Sequence, residues 1–110
     1  MTGGKENKSH VKYDERLVRV GEVLRKKRLR LGGRLASSRE YFIADRNSKF
    51  FGDNDKEWIS QRHLANIENG YKWIGVEKLL KLAIALEVDP IELFAEIVQA
   101  WRGESGKEEP

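Results

Sequence analysis

The stretch ISQRHLANIENG, residues 59–70, and the stretch GVEKLLKLAIALEVDPIELF, residues 75–94, decide the fold. Ser60 has the hydroxyl that caps a helix start. Ile59 before it is placed to pack on Leu64 as a hydrophobic staple, so a helix is predicted over residues 61–69 and ended by Gly70. At about 100° per residue, Leu64 and Ile67 share one side of that helix, and Arg62, Asn66 and Asn69 lie nearly opposite, flanked by Gln61 and Ala65. The next helix, residues 76–86, carries Leu79, Leu80, Leu82, Ala83 and Leu86 over a wide apolar face. Pro90 at a first helical position after Asp89 starts another over residues 90–101, with Ile91, Phe94, Ile97, Val98 and Trp101 as its apolar stripe.

Upstream, Leu17, Val20, Leu24 and Leu31 recur at helical spacing with Arg28 in the same row, so a helix is expected over residues 13–31 and ended by Gly32 and Gly33. Ser37 followed three residues later by Glu40 has the capping-box pattern, which places a second helix from Ser38 through YFIADR. NSKFFGDNDKEW, residues 47–58, mixes turn formers with Phe50, Phe51 and Trp58 and reads as an irregular or partly helical insertion. Its aromatics either cover the core or form an exposed wing used for dimerisation or by a partner. The fold class is therefore all-α, with five helices around one core in residues 13–102. Residues 1–12 are expected to be a flexible basic arm and residues 103–110 a flexible tail.

At 110 residues and 39% apolar content the chain has the size of one ordinary domain. It has no cysteine, which excludes disulfides, thiolate zinc sites and thiol nucleophiles. His10 and His63 are the only histidines, too few to favour a histidine-based zinc site or a Ser-His-Asp triad, so no enzyme activity, metal or cofactor is expected. DNDKE has no glycine at the sixth loop position and Leu64 at the twelfth, so it is not an EF-hand. The sequon at Asn7 matters only in a secreted chain. No run approaches 18 apolar residues, and the polar start lacks an apolar signal segment, so neither a membrane span nor secretion is expected, and the place is cytoplasmic. The net charge of +3 is unevenly spread: residues 1–34 hold eleven basic side chains against four acidic ones, or +7, which leaves −4 for residues 35–110. Such asymmetry bears on partners rather than on fold.

The order of these signals resembles the phage repressor/Cro-like (XRE-type) helix-turn-helix DNA-binding family. In it a Ser- or Thr-capped third helix ends in Glu-Asn-Gly or similar, and a Leu-Leu-x-x-Ala helix and a Val-Asp-Pro turn into the fifth follow. KKRLRLG, residues 26–32, is similar to the basic end of the family's first helix, and the likeness extends over roughly residues 17–97. Two departures stand out. The family usually has a glutamine at the start of the second helix, where this chain has Ser38 and Arg39, and roughly ten residues are inserted between Ser37 and Ser60.

The resemblance implies a lambda-repressor-like five-helix domain, with an insertion between its second and third helices, that binds double-stranded DNA and regulates transcription. A repressor on a palindromic operator, acting as a nucleoid-associated homodimer, is the expected form. Two recognition helices then enter successive major grooves about 34 Å apart. Gln61, Arg62 and Asn66 are the expected base readers, because Arg, Gln and Asn carry paired groups that match purine edges. Phosphate contacts are expected from Lys27, Arg28, Ser38, Arg39, Asn69 and Lys72, and Glu68 is expected to pair with Arg28. The last helix is the expected dimer interface, with packing on the first helix as the other use of its stripe. A second reading, an antitoxin-like or other protein-interaction module in which DNA binding is secondary, rests on the insertion and the −4 balance.

Overall fold

The computed structural model describes residues 14–52 and 57–103. The expected arm, the tail beyond Gly103, His10, the sequon and most of the DNDKE stretch lie outside them. Among the described residues there is no strand, and six helices follow one another: α1 (Glu15–Leu29), α2 (Gly33–Ser37), α3 (Arg39–Phe50), α4 (Gln61–Glu68), α5 (Val76–Leu86) and α6 (Pro90–Arg102). None of these helices is long and apolar enough to cross a membrane.

Four of the six starts have a side-chain cap. Asp14, Ser60 and Asp89 are N-caps whose side chains accept the N–H of Arg16, His63 and Glu92 at 2.9, 2.9 and 3.0 Å. Pro90 occupies the first turn of α6, where its missing N–H costs nothing. The sequence pattern missed α2. Gly32 and Gly33, with φ of 74° and 57°, do not simply end α1 but turn the chain into a five-residue helix. Ser37 is then the last residue of α2 and has helical backbone, so the cap of α3 moves one place on. Ser38, extended at φ −141°, accepts the Tyr41 N–H at 3.0 Å.

Val20 and Leu24 of α1, Phe42 and Ile43 of α3, Leu64 and Ile67 of α4, Leu82 of α5 and Leu93 of α6 meet in one core. The last helix lies along the first. Arg19 of α1 donates to the carbonyls of Ala100 and Trp101 at 2.6 and 3.0 Å, at the end of α6, where the Ala100 carbonyl also accepts the Gly103 N–H. This contact fixes the rotation of α6, which buries Leu93, Ile97 and Ala100. Of the stripe read from the sequence only Ile97 is in the core, while Ile91, Phe94 and Trp101 are exposed. On α5, Leu80 is likewise outside and Ala85 inside. Apolar residues on these two helices outnumber the positions that a single neighbouring layer can cover, so periodicity alone could not select the inner row.

The described part of the insertion begins as helix. Its first part extends α3 to Phe50, and the chain then returns through Trp58 to the cap of α4. Trp58 is buried, donates its indole N–H to the Ile43 carbonyl at 3.0 Å, and meets Phe51 and Phe42 at ring-centre distances of 5.1 and 6.0 Å. Two of the inserted aromatics thus cover the core. Phe50 stays at the surface, with the Arg46 and Lys49 cations 5.2 and 5.5 Å from its ring centre.

Candidate nucleic-acid interface

Helix α4 is anchored on its inner side and polar on its outer side. Leu64 and Ile67 are buried, and the Ser60 hydroxyl closes the first turn. At the far end the Tyr71 N–H returns to the Asn66 carbonyl at 2.8 Å, and Gly70 takes φ 80°. The outer strip holds the three expected base readers, with Gln61 and Arg62 exposed in the first turn and Asn66 half-buried one turn on. Asn69 and Lys72 are exposed at and after the end of the helix.

Glu68 fixes this helix against two others. Its Oε2 accepts Arg28 Nε at 2.7 Å, and its Oε1 accepts Arg28 Nη2 at 3.0 Å and Arg39 Nε at 2.8 Å. Arg28 also donates through Nη1 to the carbonyls of Leu35 and Ala36 at 3.1 and 2.8 Å, at the end of α2. Both Arg28 and Glu68 are buried. One buried carboxylate therefore joins α1 to the start of α3 and the end of α4, and Arg28 adds α2. With two cations on one anion, the cluster keeps a net positive charge at the N-terminus of α3, where open N–H groups and the helix dipole also favour an anion.

This geometry separates the expected phosphate residues. Ser38, Arg39, Asn69 and Lys72 lie at the start of α3 and beyond the end of α4, although the Ser38 hydroxyl is used as a cap and Arg39 is half-buried on Glu68. Arg28 lies inside the protein and all its nitrogens are engaged, so it fits the ion pair expected of it and not the phosphate contact. Lys27 is turned to α6, where its ammonium meets Glu96 at 3.0 Å and its side chain keeps only 10% exposure. Both placements have one cause: Lys27 and Arg28 sit on the sides of α1 that face neighbouring helices, and a basic run read along a sequence does not reveal this.

Two cations were missed. Arg34, on the unforeseen α2, lies exposed with its guanidinium 4.3 Å from the centre of the Tyr41 ring in α3. It stands beside the start of α3, but its place depends on a five-residue helix with no pattern of its own. Lys78 of α5 was also missed; its ammonium donates to the Trp58 carbonyl at 2.7 Å, under the start of α4. His63 lies half-buried on the same helix, and its pKa is held below the usual histidine value first by burial and then by the charges of Lys78 and Lys72.

The helix-turn-helix family model matches residues 58–93, about a third of the chain. The match begins at Trp58, the last residue of the insertion, and ends at Leu93 in the first turn of α6, so it takes in α4 and α5 but not α3. No curated protein and no solved structure matches the chain. The matched segment is a helix-turn-helix of the phage repressor/Cro-like (XRE) type, set in an all-helical domain. The match supports a DNA-binding role for residues 58–93.

Proposed function

We propose that this protein is a sequence-specific transcriptional repressor that occupies a palindromic operator as a homodimer and excludes polymerase from an overlapping promoter. The observation that carries this reading is the pairing on α4 of an outer edge of Gln61, Arg62 and Asn66 with an inner edge locked by Glu68. A helix that reads bases must hold its side chains in register against the rest of the domain. Arg62 and Gln61 reach the major-groove edges of the bases, Arg with guanine and Gln with adenine, and Asn66 reads one turn further in. Arg39, Asn69 and Lys72, with the α3 start at Ser38, hold the phosphates on either side. The division of labour is the usual one, in which phosphate contacts set position and base contacts set sequence.

The testing experiment is selection of bound fragments from random double-stranded DNA, followed by footprinting. Enrichment of a two-fold symmetric site, with affinity that falls steeply as salt rises, is the expected result. Salt-independent binding or enrichment of no sequence would overturn the reading.

A further inference from the structure

The short helix α2 fully buries none of its five residues, and only Leu35 of it packs against the core. Its firmest ties are the two bonds from Arg28 Nη1 to the carbonyls of Leu35 and Ala36, at 3.1 and 2.8 Å. The same guanidinium holds Glu68 at the end of α4. One buried arginine therefore keeps α2 in register with the recognition helix. The charged residue that α2 presents is Arg34, which is exposed and lies with its guanidinium 4.3 Å from the centre of the Tyr41 ring. No carboxylate among the described residues pairs with it. Stacking on a ring restrains a guanidinium while leaving the N–H groups at its edge open to another acceptor.

The direction in which Arg34 faces follows from α3. Arg39 and Tyr41 are two residues apart, so at about 100° per residue they lie about 200° apart around the helix. Arg39 is turned inward, to Glu68 at 2.8 Å. Tyr41, and Arg34 upon it, are thus on the side of the α3 start that faces away from α4. In the proposed complex α4 lies in the major groove, and the start of α3 meets the phosphate strand beside it. Across that strand, on the side away from α4, is the minor groove that flanks the half-site.

We propose that Arg34 enters this flanking minor groove and gives the protein a preference for A·T-rich DNA there. Runs of A·T narrow the minor groove and deepen its negative potential, which draws in an arginine. The floor of such a groove offers only acceptors, whereas each G·C pair adds the guanine amine, a donor that a guanidinium cannot answer. Arginine suits the place better than lysine because its charge is more weakly hydrated and loses less on leaving water. Arg34 thus selects base pairs beyond those that Gln61, Arg62 and Asn66 read.

This rests on the DNA reading above and adds a separate readout to it. Binding of the full chain is measured on duplexes that share one selected core and differ only in flanks, either A·T runs or G·C-rich. The wild type is expected to favour the A·T flanks by at least about fivefold. Arg34→Ala is expected to lose that preference while it keeps the choice among core sequences and, as the side chain is exposed, the unfolding midpoint. Arg34→Lys keeps the charge, so it is expected to retain the salt dependence but lose most of the flank preference. Equal wild-type affinity for both flanks, or a flank preference that survives Arg34→Ala, overturns the proposal. So does an Arg34→Ala chain that binds both duplexes more weakly by the same factor, which would make Arg34 a phosphate contact only. In each of these cases a selected core leaves the DNA reading standing, whereas selection of no core at all overturns both.

Discussion

Arg28 and Glu68 join α1 to α4 by two parallel bonds, Nε to Oε2 at 2.7 Å and Nη2 to Oε1 at 3.0 Å, in a place that water barely reaches. The net worth of a buried pair is small, but removal of one partner strands the other. Arg28→Ala leaves Glu68 with Arg39 alone and frees the Leu35 and Ala36 carbonyls at the end of α2. Its expected cost is about 3–5 kcal/mol, measured by urea unfolding. The double change Arg28→Met with Glu68→Leu strands no buried charge, since Arg39 can turn outward, and should cost less than Arg28→Ala. Equal stability of Arg28→Ala and the wild type would remove the pair from any account of how α4 is held.

A close backbone approach supports the same junction. A Cβ on Gly21 of α1 would stand against the Glu68 carbonyl oxygen and 2.5 Å from that of Ile67, so only a glycine lets α1 rest on the end of α4. In an ordinary helix interior Gly→Ala gains about 0.5–1 kcal/mol. Here the sign is expected to reverse. Gly21→Ala should lower the thermal midpoint, and because it tilts α4 it should also weaken sequence-specific DNA binding more than non-specific binding.

The helices that meet at this junction could be anticipated, and the reasons that the junction itself could not are specific. The caps at Ser60 and Asp89, Pro90 and the spacing of Leu64 and Ile67 are local signals, so α4, α5 and α6 were legible to within a residue or two. The Arg28–Glu68 pair was expected only through the family resemblance, because forty residues separate the two. Gly21 gave no signal, since a glycine among Val20, Leu24 and Arg28 looks like a gap in the apolar row. Arg39 read as a surface cation, and only the folded chain brings it to the carboxylate that Arg28 already holds. The helix-turn-helix match is continuous over residues 58–93 and takes in none of α3, although Trp58 ties that helix to the core through the Ile43 carbonyl.

The half-buried His63 gives the domain a modest acid sensitivity. Burial, then the Lys78 and Lys72 charges, lower its folded pKa below the ordinary value of 6.5, which the unfolded chain keeps. Above that pH both states are neutral and the group contributes nothing to the pH dependence. As pH falls through 6.5, the unfolded chain takes up the proton first, so stability declines until folded His63 is protonated as well. Denaturation midpoints measured from about pH 7.5 to 5 should fall more steeply for the wild type than for His63→Gln. Parallel curves would mean that the imidazole titrates alike in both states.

The proposed interface separates two kinds of loss. Arg62 is exposed in the first turn of α4 and Lys72 beyond the helix end; in the proposed function the first reaches a base pair and the second only a phosphate. Arg62→Ala is expected to cost about 1–3 kcal/mol on the selected site and to relax preference at one position of each half-site. Lys72→Ala should weaken selected and unrelated DNA alike and reduce the slope of log affinity against log salt by about one unit for each lysine removed from a phosphate. Neither side chain is in the core, so unfolding midpoints should stay within about 0.5 kcal/mol of the wild type, and changes in binding can be read as contacts. If both variants lost affinity equally on every sequence with the site preference intact, Arg62 would be a phosphate contact, and base reading would have to be sought in Gln61 and Asn66 alone.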